Sequence, residues 1–166
     1  IEGYITGRVE ISIRVKKKIY DMNFNNFTIK AQESVQKAIE VAQGNNQQMI
    51  EPVHLLKGVM RLFENVTSFL FQKLGFPAQN LERVVDSEIE SYPKVSGGDP
   101  MLSRETNAVF QKATDITSKM GDQFVAIEHL LLAMVQENNN ASRMMRDAGI
   151  TPGELQKAVQ ELRKGE

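Results

Sequence analysis

From Thr28 onward the apolar positions of the chain recur at helical spacing. Ala31, Val35, Ala38, Ile39 and Ala42 form one stripe that stops at Gly44, and Val109, Phe110, Ala113, Ile116 and Met120 form another that stops at Gly121. Pro52 is placed for the first turn of a helix through Leu55, Leu56, Val59, Met60 and Phe63. Thr151-Pro152-Gly153-Glu154 has the form of a capping box with proline at the first helical position, opening a helix through Leu155, Ala158, Val159 and Leu162. The pattern predicts helices over 28–43, 53–64, 66–74, 78–91, 103–119, 127–137, 140–148 and 152–164, with no strand after Met22. Ahead of these, Val9, Ile11, Ile13 and Val15 alternate with polar residues at the period of a half-buried strand.

The helical part repeats. Gln36-Lys37-Ala38, Gln48 and His54-Leu55-Leu56 return 75 residues later as Gln111-Lys112-Ala113, Gln123 and His129-Leu130-Leu131. Beyond this point the spacing slips to 74, pairing Gly75 with Gly149, Leu81 with Leu155 and Val85 with Val159. The organisation expected is an N-terminal extension over 1–21, strand-like or disordered, ahead of a natural start at Met22. A first repeat over 28–91, a turn-rich linker over 92–102 and a second repeat over 103–165 follow. Neither repeat is large enough to bury much alone, so an all-α, pseudo-two-fold bundle of two four-helix repeats is expected, with a crevice between them as the natural binding place.

Composition narrows the chemistry. The 166 residues hold 20 Lys+Arg and 21 Asp+Glu, no Cys and two His. The extension carries +2, so the remainder carries −3, which argues against general affinity for nucleic acid. Disulfides, a cysteine nucleophile and a histidine-rich metal site are excluded. No apolar run approaches the ~18–20 residues that span a bilayer, and the N-terminus lacks the apolar core of a signal peptide. A soluble, cytoplasmic protein is expected, with no membrane partner. No P-loop, G-x-S-x-G or H-E-x-x-H string occurs, so neither nucleotide binding of the P-loop kind nor catalysis is expected.

The doubled pattern resembles the Clp amino-terminal domain, the paired-repeat helical module at the front of the Clp/Hsp100 ATPases. The strings that carry the resemblance are Met49-Ile50-Glu51-Pro52-Val53-His54-Leu55-Leu56 and Gly121-Asp122-Gln123-Phe124-Val125-Ala126-Ile127-Glu128-His129-Leu130-Leu131, with Leu74-Gly75-Phe76 and Ala148-Gly149-Ile150 in register. It covers residues 22–166 and is greatest to the ClpB disaggregase branch. The resemblance implies a substrate-binding module of a hexameric, ATP-driven unfoldase. Unfolded or aggregated polypeptides are the implied partners, together with the parent hexamer and an Hsp70-type chaperone system. ATP and Mg²⁺ act in ATPase modules that this chain does not contain. An adaptor-docking domain of the ClpA/ClpC protease-partner type is the alternative, and a plain assembly module a third.

The resemblance also implies that Thr28, Asp122 and Glu128 engage substrate. The residue types equally suit structural tasks: Thr28 as a helix N-cap, Asp122 closing a turn, Glu128 in the first turn of a helix. An adaptable apolar groove suits unfolded chains, and Phe110, Phe124 and Met120, which flank Asp122 in sequence, are its candidate walls or else core. His54 and His129 occupy equivalent repeat positions, where packing or hydrogen bonding at a helix start is the expected role.

Overall fold

A computed structural model describes residues 24–165. The proposed extension over 1–21 lies outside the described residues. Eight helices are present among them: α1 (Ile29–Gly44), α2 (Pro52–Leu62), α3 (Glu64–Lys73), α4 (Ala78–Ser91), α5 (Arg104–Lys119), α6 (Ile127–Gln136), α7 (Asn140–Asp147) and α8 (Pro152–Lys164). The all-α, four-plus-four architecture follows the apolar periodicity.

Local chemistry sets the boundaries. Thr28 and Ser103 sit 75 residues apart and cap α1 and α5, their hydroxyls accepting from the N–H of Ala31 and Thr106 at 3.1 Å each. The Thr151 hydroxyl accepts from Glu154 N–H, with Pro152 in the first turn of α8. At the ends of α1 and α5 the chain turns through left-handed backbone at equivalent positions, Asn46 (φ 56°) and Gly121 (φ 73°). Asparagine is among the few side chains that tolerate this geometry.

The second helix of each repeat lies at the centre. Val53, Leu55, Leu56 and Val59 of α2, and Ile127, Leu130, Leu131, Leu132, Met134 and Val135 of α6, are fully buried. Every residue of α6 from Ile127 to Val135 is buried, and its long apolar run over 130–135 has nowhere to sit except in a core. Gly58 brings α2 against α1 so closely that a Cβ there would stand 2.8 Å from the Ser34 carbonyl oxygen.

Two short strands correct the expectation that no strand follows Met22. β1 (Met49–Ile50) and β2 (Met101–Leu102) pair in parallel, Met49 opposite Met101 and Ile50 opposite Leu102. Phe27 forms an isolated parallel bridge with Val125. The two pairings are equivalent under the repeat. Thr28 N–H donates to the Val125 carbonyl (2.9 Å), and Ser103 N–H donates to that of Ile50 (3.1 Å). The segment entering each repeat is therefore stitched to the loop before the second helix of the other, about an approximate dyad. Pairs of this length are too short to show a period of two.

Candidate functional site

The loop between α5 and α6 carries Asp122, and Glu128 follows in the first turn of α6. Gly121 turns the chain, and Asp122 N–H then bonds the Thr117 carbonyl. The backbone crosses to pair with Asn26–Thr28 through Val125 and enters α6 after Ala126. Thr28 and the 122–128 loop are thus backbone neighbours, as the resemblance requires of a common site.

His129, third residue of α6, organises this loop. Its Nδ1 accepts the Ala126 N–H at 2.8 Å, so the ring hydrogen resides on Nε2, which donates to Asp122 Oδ2 at 2.7 Å. Arg163, from the last turn of α8, donates through Nη2 to the same Asp122 oxygen (2.7 Å) and through Nε to Glu128 Oε2 (3.1 Å). Its contact with His129 Nε2, at 3.3 Å, sets two N–H donors side by side, both serving Asp122. Glu128 is 2% exposed, and its Oε1 is buried without a hydrogen-bond partner.

The electrostatics follow from this packing. Burial pushes the Asp122 carboxyl up, but the hydrogen bonds from Arg163 and His129 outweigh it and leave the group below its ordinary value. Burial holds His129 below the usual imidazole value, outweighing the upward pull of Asp122 and Glu128. Arg163 moves the other way, kept cationic by Asp122 and Glu128 against the effect of burial.

The first repeat performs the same task without charge. His54 Nδ1 accepts the Glu51 N–H (2.9 Å), and Nε2 donates to Gln47 Oε1 (2.7 Å). The Gln47 amide nitrogen donates to the Ile89 carbonyl. Gln47 stands at the position equivalent to Asp122, Val53 at that of Glu128 and Ile89 at that of Arg163. Burial alone pushes His54 down to about 4.

The structure divides the sequence candidates. Thr28 and Glu128 are buried, at 3% and 2% exposure, and present little surface to a ligand. Asp122, Phe124 and Met120 are part-buried at the rim of the loop. Phe110 is corrected from groove wall to core: it is 5% exposed and packs edge-on against Phe24 and Phe27, at 5.3 and 5.7 Å between ring centroids. Its place on α5 faces the entering segment, which fills the space a groove would need.

Sequence reasoning missed Arg163. Its signal was in the repeat: Leu81, Val85 and Ile89 of α4 correspond to Leu155, Val159 and Arg163 of α8. A guanidinium standing where the other repeat has a buried isoleucine needs carboxylates nearby.

The described residues line three surface cavities of note. Two lie where the repeats meet: one of about 420 Å³ lined by Glu51, Tyr92, Glu105, Asn139 and Arg143, and one of about 290 Å³ between Lys73, Leu74, Lys157 and Glu161. The third, of about 450 Å³, lies within the first repeat between α3 and α4. None of the three is lined by Thr28, Asp122, Glu128, Phe110, Phe124 or Met120.

Comparison with known proteins agrees with this architecture. Residues 26–148 match the Clp repeat (R) N-terminal domain family. Chaperone protein ClpB of Bacteroides thetaiotaomicron is 57% identical over 145 residues, covering 87% of this chain and 17% of its own length. Chaperone protein ClpB of Porphyromonas gingivalis is 49% identical over 144 residues, with the same coverage of 87% and 17%. The chain thus spans 17% of the length of these relatives. The Hsp104 N-terminal domain of Candida albicans superposes with a TM-score of 0.72 at 23% identity, over 85% of this chain and 93% of that one.

Proposed function

The chain belongs to the Clp repeat N-terminal domain family and is of the ClpB chaperone type, and from that premise we propose that it engages unfolded or aggregated polypeptide on behalf of an ATP-driven disaggregase ring. It is a binding module without chemistry of its own. ATP and Mg²⁺ act in the ATPase modules of the whole protein, which works in the cytoplasm as a hexamer alongside an Hsp70-type chaperone system.

The observation that carries this proposal is the junction of the Asp122 loop with the start of α1. There Thr28 and Val125 share a backbone hydrogen bond, and Asp122, Phe124 and Met120 stand part-exposed beside a charged network. Apolar side chains with polar groups at their rim suit ligands that share exposed apolar segments and little else. Thr28, Glu128 and Arg163 act from behind this surface by fixing the loop.

The test is a titration of the labelled chain with a permanently unfolded model protein. Amide shifts are expected at Thr28 and over 121–125, and Asp122→Ala is expected to weaken binding several-fold. In the full-length protein the same substitution is expected to lower disaggregation and spare ATP hydrolysis. Equal behaviour with folded and unfolded clients, or no shift over 121–125, overturns the proposal.

A further inference from the structure

The cavity of about 450 Å³ between α3 and α4 lies in the size range of ligand sites, ~300–1,000 Å³. Phe76 and Ala78 supply apolar surface above the buried Met60, and Gln72 and Gln79 stand exposed at the rim. Two carboxylates, Glu64 and Glu82, line the cavity and no cation does. Lys57 already holds Glu82 at 2.7 Å. Glu64 is exposed and makes no ion pair among the described residues.

The cavity also marks where the repeats differ. His54 and Gly75 are 21 residues apart, whereas His129 and Gly149 are 20 apart. The additional residue falls in this stretch, and α3 has ten residues where α7 has eight. In the second repeat the position equivalent to Phe76 is Ile150, which is fully buried. Phe76 is only half-buried, and the space beside it is open.

We propose that this cavity is a second polypeptide site, specific for a basic side chain in an extended apolar segment; it rests on the proposal that the chain takes polypeptide clients. The aliphatic stem of a lysine or arginine lies along Phe76 and Ala78, and its cation reaches Glu64. The amides of Gln72 and Gln79 can both donate to and accept from main-chain groups, which an extended client leaves unpaired.

The test compares two acetylated peptides by calorimetry and amide shifts, one with a Leu-Lys-Leu-Arg core and one with both basic residues replaced by Glu. The basic peptide is expected to shift Gln72, Phe76 and Gln79 and to bind at least tenfold more tightly than the acidic one. Glu64→Lys is expected to abolish that difference, while Glu64→Gln reduces it in part; neither should alter shifts caused by an unfolded protein over 121–125. Equal binding of the two peptides, or a Glu64→Lys protein that still prefers the basic one, overturns this site. Shifts confined to 121–125 overturn it and leave the Asp122 site standing. Silence at both places, with an unfolded protein as well as the peptides, removes both.

Discussion

The loops that precede α2 and α6 do one structural job with two chemistries. In each, a histidine at the third helical position accepts the N–H of the residue capping the helix, and its other nitrogen holds the loop. The first repeat completes the arrangement with a glutamine and a backbone carbonyl. The second completes it with Asp122, Glu128 and Arg163. The neutral version shows that a loop of this kind can be held without charges. Buried ion networks are weak sources of stability, because desolvation offsets most of their attraction. Under the proposed function, the charged version serves what the Asp122 loop presents at its surface.

The largest expected effect comes from breaking the charged set. Arg163→Ala leaves Glu128 buried without its cation, and chemical denaturation is expected to show a loss of about 3 kcal/mol. Rebuilding the second repeat in the image of the first, as D122Q/E128V/R163I, is expected to restore stability to within about 1 kcal/mol of the wild type while client binding stays lost. A triple variant as unstable as Arg163→Ala would show that the charges support the fold.

Acid separates the repeats next. His54 takes its proton near 6.5 when unfolded but only at about 4 when folded, so the unfolded chain binds more protons in between. Stability is complete above pH 6.5 and falls as pH drops toward 4, by roughly 3 kcal/mol over the window. Burial lowers His129 too, so its contribution has the same sign. A pH series of urea midpoints checks this, and His54→Gln should flatten the slope.

Packing gives a smaller contrast. Gly58 corresponds to Ala133, so the second repeat accommodates the methyl group that the first excludes. Gly58→Ala is expected to cost about 1–3 kcal/mol as α1 and α2 are pushed apart. The N-caps should differ least: Thr28→Ala and Ser103→Ala are each expected to cost about 1 kcal/mol in thermal unfolding. A markedly greater loss at Thr28 would single out the junction with Val125.

The helices were legible in the sequence because each carries its own apolar stripe and stop signal. The break between α2 and α3 was harder, since only Phe63 separates them and Phe63 fits the apolar stripe of α2. The strands were not legible, because their partners lie about 52 and 98 residues away along the chain and two residues carry no periodicity. Of the candidate site, Asp122 and Thr28 could be brought together by resemblance. Phe110 could not be sorted from groove to core, since helical spacing shows that a side chain is inward without showing what fills the space before it. Arg163 escaped notice because a basic residue in the last turn of a helix is ordinarily explained by the helix dipole.

The crossed backbone bonds, Thr28 to Val125 and Ser103 to Ile50, act like clasped hands. Each half holds the other at its own threshold, as two identical protomers of a homodimer do when they exchange their first strands. The covalent connection through 93–100 is then dispensable for shape, and a chain severed there should persist as a tight, non-covalent pair that melts in one step.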